Sequence, residues 1–107
     1  MVAATRRVAH PGVALRQRLR LAGMNATTLA RKLNVPPNRV TSILNGKRAI
    51  TGDTALRLAH FFQTEPEVWL RLQTEYDLYV ASQQCGQEIK ALPTIGANDD
   101  ASRGCAA

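Results

Sequence analysis

The sequence predicts an all-α domain of five helices. Three observations carry this. Apolar residues recur at three- and four-residue spacing from Leu15 to Val80. Helix-stopping residues fall between those periodic stretches, and no run alternates as a strand would. Apolar residues make up 45% of the 107 and charged residues 21%, an ordinary globular balance. Aromatics are only 5%, so the core must be mostly aliphatic. A core of that kind is thin at this size, and dimerisation is a natural supplement.

Residues 1–10 show no period and read as a flexible arm. Pro11 suits the first turn of a helix, where its missing N–H is not needed. Leu15, Leu19 and Ala22 give that first helix one apolar face, and Gly23 can end it in a left-handed conformation. Asn25 is a good N-cap for a second helix that turns Leu29, Ala30 and Leu33 inward. Asn34 tolerates the left-handed turn that follows, and Val35 plugs it. Pro36 and Pro37 stop the second helix, and Pro37 starts a third.

The third helix is expected from Pro37 to about Asn45. Val40, Ile43 and Leu44 face in; Asn38, Arg39, Thr41, Ser42 and Asn45 face out; Gly46 ends it. Thr51 is the expected cap of a fourth helix, with Asp53 well placed for its dipole and Ala55, Leu58, Ala59 and Phe62 buried. Thr64 and Glu67 fit a capping box for a fifth helix, running to Gln83 or Gln84. Val68, Trp69, Leu70, Leu72, Tyr76, Leu78, Tyr79 and Val80 occupy more than one face of it. Such coverage implies burial on two sides, one by the chain's own core and one by a partner. Glycine, proline and short polar residues dominate 85–107, which reads as a disordered or weakly ordered tail.

Charge is divided sharply along the chain. Residues 1–52 hold Arg6, Arg7, Arg16, Arg18, Arg20, Arg31, Lys32, Arg39, Lys47 and Arg48 and no acid, a net +10. Residues 53–107 hold four basic and eight acidic side chains, a net −4. Such a basic half calls for a polyanion.

Residues 25–46 supply the motif to receive one. Two short helices with a turn of about three or four residues between them have helix-turn-helix spacing. In that motif the second helix enters the major groove of DNA, led by its N-terminal residues. Arg39 can fork onto guanine O6 and N7, Asn38 can pair with adenine, and Ser42 is small enough to approach a base edge. Thr41 and Asn45 can fix the backbone, with Pro37 opening this surface. Lys47 and Arg48 suit phosphates, as do Thr27 and Thr28 at the start of the second helix.

Other chemistry lacks its residues. His10 and His60 are the only histidines, the first suited to a local hydrogen bond and the second to partly buried packing. No paired carboxylates, Gly-rich phosphate loop or metal spacing accompanies them, so neither an enzyme nor a bound cofactor or metal is expected. Cys85 and Cys105 lie near the C-terminal end and cannot staple a fold that precedes them. No apolar run approaches the roughly 18 residues of a membrane span, and a reducing cytoplasm is the expected setting.

Four segments together resemble a known family. They are His10-Pro11-Gly12, LARKLNVPPNRVTSILNGKR from Leu29 to Arg48, ITGDTALRLA from Ile50 to Ala59, and EPEVWLRLQ from Glu65 to Gln73. They resemble HigA/VapI-type antitoxins of the Xre, lambda-repressor-like helix-turn-helix group, over residues 8–82. The resemblance implies a dimeric repressor that binds double-stranded operator DNA. It also implies a HigB-like toxin partner of the RelE group, which cuts mRNA on the ribosome. By position, Asn38, Arg39, Ser42 and Lys47 fall where the family contacts its operator. The fifth helix, 65–84 with Val68, Trp69, Leu72, Tyr76 and Tyr79, falls where it pairs its subunits. Two positions depart from the family pattern: Val13 stands where Glu often follows H-P-G, and Ala26 where Gln often follows the cap of the second helix. The alternative reading is a stand-alone dimeric Xre regulator without a toxin.

Overall fold

The computed structural model describes residues 7–96. Within them lie five helices: α1 Pro11–Ala22, α2 Ala26–Leu33, α3 Pro37–Leu44, α4 Gly52–Phe62 and α5 Pro66–Lys90. There is no strand among the described residues. The first six residues of the expected arm and tail residues 97–107, with Cys105, lie outside them.

The helix ends follow local chemistry. His10 caps α1, its Nδ1 accepting the Gly12 N–H at 2.9 Å, and Gly23 closes the helix at φ 65°. Asn25 caps α2, its Oδ1 accepting the Thr28 N–H at 2.8 Å, and Asn34 ends it in the left-handed region at φ 59°. Gly46, at φ 75°, turns the chain out of α3 while the Lys47 N–H reaches back to the Ser42 carbonyl. Gln63 ends α4 at φ 59°, a left-handed turn at a residue with no glycine to announce it.

Leu15, Leu19, Leu29, Ala30, Leu33, Val40, Ile43, Ile50, Ala55, Leu58, Ala59 and Trp69 form one core. Ala30 is fully buried where α2 crosses α3, which lets the two short helices approach. Ala22, expected inward, is exposed in the last turn of α1; buried Pro11 and Gly12 extend the inner face at the other end. His60, expected to be partly buried, is exposed on the outer side of α4, because its neighbours Leu58 and Ala59 take the inner face.

Helix α5 departs from expectation at both ends. The capping box does not form: Glu65 is the N-cap, without a side-chain cap bond. The Thr64 hydroxyl instead accepts the Trp69 indole N–H at 3.0 Å, so it anchors the core tryptophan rather than the helix end. At the other end the helix continues through Gly86 to Lys90, six residues past Gln84. One helical glycine costs only about 1 kcal/mol, and good helix formers such as Gln83, Gln84, Glu88 and Lys90 surround it.

Candidate nucleic-acid interface

α3 sits at the surface of the core on two anchors, Val40 and Ile43, each at most 2% exposed. Helical spacing then directs the positions between them outward. Asn38, Thr41 and Asn45 are exposed, and Arg39 and Ser42 are half-buried at the flanks. Pro37 is exposed at the first turn, and Lys47 and Arg48 are exposed just past the helix. The residues expected to meet DNA on α3 therefore share one continuous face.

The hydrogen bonds refine their roles. The Thr41 hydroxyl donates to the Pro37 carbonyl at 3.1 Å, so its proton is held inside the helix. The Thr28 N–H is taken by Asn25, which removes that backbone donor from a phosphate. Exposed Thr27 precedes it on the same turn. The Arg39 Nη1 donates to Asp53 Oδ2 at 2.7 Å. The Arg57 Nε donates to the same oxygen at 2.9 Å, and its Nη1 donates to the Leu33 carbonyl at 2.8 Å. The two guanidinium groups hold the Asp53 carboxyl below its usual range, first through the Arg57 hydrogen bond and then through that of Arg39. Arg39, Arg48, Thr51, Asp53 and Thr54 line one shallow cleft of about 250 Å³. Thr51 stands at the N-cap of α4 as expected, but its hydroxyl makes no cap bond.

Two exposed cations of the basic half also make contacts with the fold. Arg16 Nη2 donates to the Leu44 carbonyl at 3.3 Å, tying α1 to the end of α3. Arg18 lies 5.6 Å above the Phe62 ring.

The loop after α3 is held from α5. Gln73, only 6% exposed, accepts the Ile50 N–H on Oε1 at 2.8 Å and donates from Nε2 to Asp77 at 2.8 Å. Sequence reading saw this glutamine only as part of a motif. A polar residue one turn after a buried tryptophan was the available signal.

The expected pairing residues divide. Trp69 is 2% exposed within the single chain, against Phe62 at 6.1 Å between ring centroids, so its side chain belongs to the chain's own core. Val68, Leu72, Tyr76 and Tyr79 are half-buried, and Tyr76 meets His10 edge-to-face at 5.0 Å. Leu78 is 67% exposed. Among the described residues no cluster of metal-ligating side chains occurs, and no helix is long and apolar enough to cross a membrane.

A helix-turn-helix family model matches residues 15–69. Virulence-associated protein I of Dichelobacter nodosus is 45% identical over 75 residues, 69% of this chain and 69% of its own. The structure of an addiction module antidote protein of the HigA family from Coxiella burnetii is 51% identical, with TM-score 0.80 over 83% of this chain and 98% of its own. Antitoxin HigA of Pseudomonas aeruginosa, solved with the higBA promoter, is 35% identical, with TM-score 0.80 over 82% of this chain and 97% of its own. The exposed polar face of α3, the Ala30 crossing and these likenesses agree: the chain belongs to the Xre-type, lambda-repressor-like helix-turn-helix family, in its HigA/VapI branch.

Proposed function

We propose that the chain is the antitoxin of a toxin–antitoxin pair and that it represses its own operon by binding operator DNA as a homodimer. The observation that carries this reading is the outward polar face of α3, in a chain that superposes on a HigA solved with its promoter. Asn38, Arg39 and Ser42 read base edges; Lys47, Arg48 and Thr27 hold phosphates; Pro37, Thr28, Thr41 and Asn45 frame that contact. Two copies place two recognition helices on half-sites about one helical turn apart. Val68, Leu72, Tyr76 and Tyr79 on α5 supply the pairing face, and Trp69 supports it from within.

The toxin is a small mRNA-cleaving protein of the HigB type, neutralised in the cytoplasm by direct binding. The protein itself works as a binding module without catalysis or cofactor. Co-expression with the neighbouring small open reading frame tests the pair. The neighbour alone should halt growth and bulk translation, and this chain should restore both. A harmless neighbour, or no rescue, would leave a stand-alone dimeric regulator.

A further inference from the structure

Arg39 is the side chain of α3 best suited to read a guanine, and it is not a free surface arginine. Its Nη1 is bonded to Asp53 Oδ2 at 2.7 Å, with 30% of the Arg39 side chain and 55% of the Asp53 side chain exposed. Asp53 is fixed in turn by Arg57 at 2.9 Å, and Arg57 by the Leu33 carbonyl at 2.8 Å. The chain of bonds thus runs from the last turn of α2, through two residues on α4, to the third residue of α3. An exposed ion pair adds little to stability. Its consequence here is geometric, because a long arginine loses much rotamer freedom when it must present a planar fork to a base.

We propose that Asp53 is a positioning residue that sets base specificity by orienting Arg39. It occupies Nη1, leaving Nη2 and Nε for a guanine edge. Arg57, held by the Leu33 carbonyl, keeps the carboxylate in place. The proposal rests on the reading of α3 as the recognition helix. The opposite role is equally concrete: a carboxylate that merely competes with DNA for Arg39. The two predict different signs.

The test starts from a duplex of about 30 base pairs, selected by the wild-type protein from a randomised library, and a random duplex of equal length. Binding of wild type, Asp53→Asn, Asp53→Glu, Arg39→Ala and the Arg39→Ala/Asp53→Asn double variant is measured on both. Each base pair of the selected site is also substituted in turn. Asp53→Asn is expected to lose about tenfold in discrimination at the base pair that depends on Arg39, and little elsewhere. On random DNA it should bind as well as wild type or better, having lost a negative charge. In the Arg39→Ala background the Asp53 change should no longer alter discrimination, and Asp53→Glu should recover part of it. Thermal melting checks that each variant is folded.

Uniformly tighter binding by Asp53→Asn, with base discrimination intact, would overturn the proposal and make Asp53 a competitor. An unchanged effect of Asp53→Asn without Arg39 would also overturn it. In both cases recognition by α3 would stand. Failure of the wild type to enrich any sequence would instead strike the underlying reading.

Discussion

At Gly12 the first turn of α1 lies against the backbone of α3, and a Cβ there would run into the Ile43 carbonyl oxygen. Gly12→Ala must therefore move α1 or α3, and should cost about 1–3 kcal/mol in chemical denaturation. A neutral result would mean that the two helices slide apart freely. Next to it, His10 joins the cap of α1 to Tyr76 of α5. Burial lowers its pKa from 6.5, although the Arg48 backbone and the Asp77 carboxylate pull upward. The neutral ring is therefore the form that the fold favours. Its contribution is complete above about pH 6.5, declines as pH falls through that value, and levels off below the folded pKa. His10→Asn, which keeps a cap acceptor, should flatten the pH dependence of melting between pH 7 and 5. An unchanged slope would assign that dependence to other groups.

At the scale of the element, the caps at Gly23, Asn25 and Asn34 and the core faces of α2 and α3 were legible, because each rests on the geometry of one helix end or one helix period. What escaped involves two elements at once. Helical periodicity places Trp69 on an apolar face of α5 but cannot say whether core or partner covers it. The structure gives it to the core, through Phe62 and the Thr64 hydroxyl. The same limit hid the Arg39–Asp53 bond between α3 and α4 and the Arg57 bond to the Leu33 carbonyl of α2. It also hid the loop-holding role of Gln73. The consequence for α5 is testable by sedimentation and melting together. Trp69→Glu should unfold the chain, since it puts a charge in a packed interior. Leu72→Glu and Tyr79→Glu should leave folded monomers. A folded, dimeric Leu72→Glu/Tyr79→Glu double variant would move the pairing face elsewhere.

For the whole molecule, the charge division is the property that no single element carries. The basic half contributes α1 to α3 and the loop leading to α4, while α5 carries Glu67, Glu75, Asp77 and Glu88. Some arginines contact the fold, as Arg16 and Arg18 do, and under the proposed function Lys47 and Arg48 beside α3 hold phosphate. Binding through them releases counterions, so affinity should fall steeply with salt. On the proposed function, recognition through Arg39 adds a term that depends on sequence. The most direct measurement is therefore the affinity of wild type and Arg39→Ala for a selected operator and for random duplex, across a salt series. The account predicts a steep salt slope for both proteins, with Arg39→Ala losing ~1–3 kcal/mol on the operator and little on random DNA. A flat salt response, or an equal loss on both duplexes, would contradict recognition of DNA sequence by α3.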